Sequence, residues 1–149
     1  MKNLIKILTI SVFLTGFMGF AQKATVYESA KSINKEYKAL YVINEGDDQK
    51  IRVIIRNINN AMEDPRLKGK LKVELLAFGG GVEMFRKKNP YGELLTGLQD
   101  KGVVMVQCEN TLREKKIEKS ELFEFVNYTP SGNGEMILRQ DEGWAIVKP

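Results

Sequence analysis

The chain has 149 residues, 23 basic against 19 acidic side chains for a net charge of +4, no histidine and one cysteine. That inventory excludes an intramolecular disulfide, a Cys–His hydrolase triad and a Cys-x-x-Cys exchange within the chain, and it argues against a conventional zinc site. Opposite charges are interspersed along the sequence, which suits a soluble surface rather than a polyanion groove, so no nucleic-acid partner is expected.

The front of the chain reads as an address. Lys2 and Lys6 precede or open an apolar run from Ile7 to Phe20, and Gly19 and Ala21 are the small residues of a cleavage site. The run is shorter than the ~20 residues that cross a bilayer. A signal peptide over 1–21 is therefore expected, cut after Ala21, with no stable membrane insertion afterwards. The expected destination is the periplasm, with outright secretion as the alternative. Removing 1–21 takes away Lys2 and Lys6 and no acid, leaving 128 residues of net charge +2, enough for one domain. Residues 22–38 read as a polar lead-in with Val26, Tyr27, Ile33 and Tyr37 as scattered anchors.

The domain expected over 39–149 alternates strands and helices. Ala39–Ile43 reads as a first strand, and Asn44-Glu45-Gly46 turns the chain. Asp47 or Asp48 can cap a helix whose stripe is Ile51, Ile54, Ile55, Ile58 and Met62. Glu63-Asp64-Pro65 stops it. Leu71–Phe78 is the second strand, with Lys72 and Glu74 leaving one face partly wet. Gly79-Gly80-Gly81 leads into a helix from Val82, interrupted at Lys87–Pro90 and resumed by Tyr91, Leu94, Leu95 and Leu98. Val103–Val106 is the third strand, Thr111–Lys116 a short helix, and Phe123–Val126 a fourth strand. Ser131 caps a helix to about Gln140, Gly143 ends it in a left-handed conformation, and Trp144–Val147 is the closing strand. Strand–helix alternation of this kind predicts a three-layer α/β domain, with a mostly parallel five-stranded sheet and helices on both faces.

In such sheets ligands gather beyond the carboxyl ends of the strands. Four segments fall there: Asn44-Glu45-Gly46, the three glycines, Cys108-Glu109-Asn110 and Pro130-Ser131-Gly132. Cys108 follows a strand and opens a helix, where free N–H groups and the helix field favour a thiolate. Glu109 beside it opposes that effect. The plain alternative is a small apolar filler at a strand end. Gly79, Gly80 and Gly81 can cradle an anion with successive N–H groups, or can simply make a tight turn close to the sheet. They match neither G-x-G-x-x-G nor a Walker loop. Glu83 can exchange a proton in the same crevice as Cys108, or stand solvated in a first helical turn. Glu45 has the same two readings. Asn110 orients a ligand or bonds its own turn. Arg113 binds an anion or flanks a short helix in water. Ser131 and Gly132 supply a second rim. Trp144 reads as core. No complete catalytic set emerges and no cofactor or metal is called for.

Two stretches carry a resemblance. Val103 to Arg113, VVMVQCENTLR, resembles the strand–Cys–Asn–Thr–Leu segment of the DsrE/DsrF-like family. The closing stretch, from Tyr128-Thr129-Pro130-Ser131-Gly132 to Gly143-Trp144-Ala145-Ile146-Val147, resembles its final helix, glycine and aromatic-led strand. The resemblance covers about 38–149 and implies a flavodoxin-like three-layer domain, assembled as a trimer or hexamer. It places Cys108 at the cysteine that follows the third strand in an exported, single-cysteine branch. Some relatives act in sulfur relay, where a cysteine accepts sulfur as a persulfide and passes it to a protein partner; export departs from that cytosolic setting. Two functions follow. One is a periplasmic thiol or persulfide carrier using Cys108, shaped by Glu83 and Asn110, with a sulfur donor and an acceptor as partners. The other is a non-catalytic small-anion-binding or assembly module in which Cys108 only packs.

Overall fold

A computed structural model describes residues 26–149. The expected signal peptide over 1–21 lies outside the described residues. The described chain divides into two units at the step from Ala30 to Lys31. The described part of the first, residues 26–30, has no helix or strand, and Val26 and Tyr27 are exposed. Ile33 is exposed too, so these three are not anchors. Tyr37 is one: its hydroxyl accepts the N–H groups of Ile33 and Asn34 at 2.7 and 2.9 Å.

The second unit is a five-stranded, wholly parallel sheet in the order β4-β3-β2-β1-β5. Strand β1 (Tyr37–Ile43) starts two residues earlier than its apolar pattern predicts, because Tyr37 and Lys38 pair with Leu71 and Lys72 of β2 (Leu71–Ala77). Between them runs α1 (Asp48–Glu63). Asp47 is its cap, taking the Lys50 N–H at 3.0 Å. Asp48 instead holds Arg52 and the Tyr91 hydroxyl. Ile51, Ile54, Ile55 and Ile58 are buried, each contributing about 1.5–3 kcal/mol by leaving water.

The helix expected from Val82 begins on the glycines and is a 3-10 segment, Gly79–Phe85. Helix α2 (Gly92–Gln99) follows, then β3 (Val104–Cys108), α3 (Glu109–Lys115), β4 (Asn127–Thr129), α4 (Gly132–Asp141) and β5 (Ala145–Val147). The fourth strand thus lies after Phe123–Val126, not on it. Phe123 donates its N–H to the Phe85 carbonyl, and the Val126 N–H turns back to Phe123. Phe123 and Phe125 stack at 5.4 Å and pack against the core from a loop, so their alternation imitates a strand. Gly143 has φ +81 as expected.

The two faces of the sheet are unequal. Side chains of α1, α2 and α3 and of the 3-10 segment close over Tyr41, Ile43, Val73, Leu75 and Met105 in one large core. The opposite core is Leu40, Val42, Leu76 and Val106, partly covered by Phe78, Met136 of α4 and Trp144. Trp144 is therefore at a core margin, with the Arg139 guanidinium 4.7 Å over its ring. Glu74 belongs to this second face and is 1% exposed, so the expected wet face is dry at that position. Lys72 remains exposed and pairs with Glu36 at 2.8 Å. Among the described residues no helix is long and apolar enough to cross a membrane.

Candidate functional site

Strand alternation puts Val104, Val106 and Cys108 on the second face of β3 and turns Met105 and Gln107 the other way. Cys108 is both the last residue of β3 and the cap residue of α3, with φ −69 and ψ 120. Its sulfur accepts the backbone N–H of Gly132 at 3.2 Å. Gly132 is the first residue of α4, whose cap is Ser131; the Ser131 Oγ in turn accepts the Gly134 N–H at 3.3 Å. The sulfur therefore meets an otherwise unpaired donor at the positive end of a ten-residue helix.

That contact requires glycine. A Cβ on Gly132 would come within 3.2 Å of three Phe78 ring and side-chain atoms. A larger residue there requires Phe78 or the first turn of α4 to give by a few tenths of an ångström. Cys108 itself is 5% exposed, yet it opens into a hollow of about 190 Å³. Phe78, Gly79, Asn110, Thr111 and Glu114 form one wall and Ser131, Gly132 and Asn133 the other. No lysine or arginine lines it.

The structure brings together Cys108, Gly79, Asn110, Ser131 and Gly132 and separates the remaining predicted site residues. The three glycines offer no anion cradle, because each N–H is already spent. Gly79 donates to Thr111 Oγ1 at 2.8 Å, Gly80 to the Asn44 carbonyl at 2.9 Å, and Gly81 to the Phe78 carbonyl at 2.9 Å. Their smallness is what the fold uses. A Cβ on Gly81 would stand 2.4 Å from the Ile43 carbonyl oxygen, and one on Gly80 would stand 2.8 Å from the Gly46 nitrogen. The tight-turn reading holds, and Gly80 and Gly81 do not line the cysteine hollow.

Glu83 is also elsewhere. Its carboxylate accepts the Asn89 amide at 2.9 Å and stands 3.5 Å from both Arg86 and Lys88. Burial works against its charge, but the Asn89 amide and the Lys88 and Arg86 cations outweigh that and hold its carboxyl below the usual range. Its carboxylate faces Asn89, Arg86 and Lys88 and does not line the cysteine hollow. Glu45 pairs with Lys50 and lines a separate hollow of about 350 Å³ beyond β1, with Asn44, Asp47 and Lys148. Glu109 pairs with Lys119 at 2.5 Å and shares a third, open hollow with Arg113. Arg113 donates to the Asn110 side-chain oxygen, which fixes that amide at the rim of the cysteine hollow.

Sequence reasoning missed Phe78, Thr111, Glu114 and Asn133. Thr111 had a legible signal: it stands three residues past Cys108, in the first turn of the helix that Cys108 opens, where a hydroxyl can reach a neighbouring loop. Phe78 had none, because its role is to fill the space that a side chain at position 132 would need.

A model of the DsrE/DsrF-like family matches residues 37–149. A protein of unknown function from Methanobacterium thermoautotrophicum, MTH1491, is 32% identical, superposes with a TM-score of 0.72, and is covered completely by 76% of this chain. The ychN protein from E. coli shares the fold at 14% identity and a TM-score of 0.58, over 76% of this chain and 99% of its own. No curated protein matches the chain.

Proposed function

The chain belongs to the DsrE/DsrF-like family, a family associated with sulfur relay, and from that premise we propose that it carries sulfur on Cys108 as a persulfide. The observation that carries the reading is the Gly132 N–H on the Cys108 sulfur, at the head of α4 and beside a hollow of about 190 Å³ that Cys108 lines. The contact sets a hydrogen-bond donor on the one sulfur that can take part in exchange. The thiolate is the form that attacks in sulfur exchange.

The exchange balances without an oxidant. The Cys108 thiolate attacks the outer sulfur of a polysulfide or a protein persulfide. A new S–S bond forms on Cys108, and the donor's S–S bond breaks with its electron pair leaving on the polysulfide shortened by one sulfur or on the donor thiolate. In delivery, an acceptor thiolate takes the outer sulfur and Cys108 departs as thiolate. The Gly132 N–H on the Cys108 sulfur eases its departure as the leaving group in delivery. Asn110, held by Arg113, borders access; Glu83 takes no part.

The setting belongs to the same proposal. Export to the periplasm, with secretion as the alternative, rests on Lys2, Lys6, the apolar run and Ala21. A homotrimer or hexamer is supported by exposed apolar side chains on the thinly covered face: Ile137 and Leu138 of α4 are 69% and 63% exposed. The non-catalytic alternative draws on the near-complete burial of Cys108, whereas the spent glycine N–H groups speak against an anion cradle in that loop.

The test is intact mass after mild polysulfide treatment. Wild type should gain about one sulfur atom and lose it to an added thiol acceptor, while Cys108→Ser gains none. A wild type that gains no sulfur, in a folded state that a small alkylating reagent does reach, would end the carrier reading.

A further inference from the structure

Helix α4 meets the sheet through ion pairs as well as hydrocarbon. Among the described residues it is the helix whose side chain covers the smaller core, and Met136 is its apolar contribution there. Its other large apolar residues, Ile137 and Leu138, point to solvent. Arg139, about two turns beyond Gly132, stands at ion-pair distance from three carboxylates: Glu74 at 2.7 Å, Glu135 at 2.9 Å and Glu142 at 3.0 Å. Glu74 sits in the middle of β2 and is 1% exposed. Glu135 continues the chain of contacts by accepting the Thr129 hydroxyl at 2.8 Å. Thr129 is the residue paired with Cys108 across β3 and β4.

We infer that Arg139 is a positioning residue for Cys108: clamped on Glu74 and Glu135, it fixes α4 on the sheet so that the Gly132 N–H falls on the sulfur. The consequence for reactivity rests on the sulfur-carrier reading; the geometric role does not. A short helix moves as one body, so the anchor at Arg139 and the donor at Gly132 cannot shift independently. The anchor is demanding because Glu74 is out of water and one of its oxygens, Oε1, has no hydrogen-bond partner. Its charge has Arg139 as counter-ion, and a buried carboxylate that loses its partner is strongly disfavoured. Register is therefore imposed on α4 by one guanidinium, which must sit over Glu74.

Three variants of the full chain test this: Arg139→Gln, Arg139→Lys and Glu74→Gln. The last leaves no buried charge stranded and covers the case in which Arg139→Gln does not fold. The readouts are the exchange rate of the Gly132 amide by NMR and the rate of sulfur uptake from polysulfide. In the folded variants Arg139→Gln and Glu74→Gln, the Gly132 amide should exchange about tenfold faster and sulfur uptake should slow about tenfold, the scale of one hydrogen bond to a charged acceptor. Arg139→Lys, which keeps a cation over Glu74, should fall between them and wild type. A merely structural role would lower the unfolding midpoint and speed exchange of the buried amides of β1, β2 and β3 as much as that of Gly132, and that result, with no selective effect at Gly132, overturns the inference. A wild type that takes up no sulfur while its Gly132 amide still responds to Arg139→Gln would overturn the carrier reading and uphold the positioning role.

Discussion

At position 132 a methyl group would crowd the Phe78 side chain at 3.2 Å. Gly132→Ala should drive the first turn of α4 away from Phe78 and lengthen the N–H contact to Cys108, so alkylation of the thiol by iodoacetamide at neutral pH should slow. Crowding of this kind destabilises by about 1–3 kcal/mol, which a urea midpoint reads directly. Glycine spacing in the sequence says nothing about which positions behave this way. Gly81→Ala meets the Ile43 carbonyl oxygen at 2.4 Å and should be severely destabilised, whereas Gly97, within α2, has nothing within 4 Å of a new Cβ. Gly97→Ala should raise stability by about 0.4–1 kcal/mol through the unfolded chain and helix propensity. Thermal melts of the two variants separate these cases. The triple glycine was visible as a motif and its chemistry was not, because whether an N–H is free depends on Asn44 and Thr111, which reach it only in the folded chain.

At the scale of elements, the alternation of Lys72 and Glu74 resembles half-wet strand residues, and Lys72 obeys. Glu74 does not, because Arg139 arrives over it from a helix far along the chain, and no local pattern announces that pairing. Burial raises the proton affinity of Glu74 above the ordinary value of 4.5; Arg139 pulls it back, and Glu135 and Glu142 push it up again. The folded chain thus binds this proton more tightly than the unfolded chain. The stability that follows from it is fully present below 4.5 and is lost as the pH rises through the raised folded value. Urea midpoints of wild type and Glu74→Gln, compared across that range, should show the wild type losing ground as pH increases. A flat difference would mean that Arg139 compensates the burial completely. The fourth strand fails for a related reason: Phe123 and Phe125 have the period of a strand, but the backbone groups of Phe123 are spent on Phe85 and on a local turn with Val126.

Across the whole molecule, the order of strands and helices was legible because alternating runs at this spacing admit little else than a parallel sheet. The inequality of the two faces was not, since it depends on every early crossover packing on one side and only α4 on the other. That asymmetry leaves Val104 and Ile146 partly exposed as well as Ile137 and Leu138, a set that a second copy of the chain would cover. If it does, Leu138→Glu should lower the mass seen by light scattering to that of one chain while the far-UV spectrum stays unchanged. An unaltered mass in a folded variant would place the subunit contact elsewhere.

Gly46 and Gly80 face each other where two loops cross: a Cβ on Gly46 would stand 2.7 Å from the Gly80 oxygen, and one on Gly80 would stand 2.8 Å from the Gly46 nitrogen. Neither position has a tolerated neighbour in sequence space while the crossing persists. Saturation libraries at either codon should return glycine alone, and a survivor bearing another residue would have to reroute both loops at once.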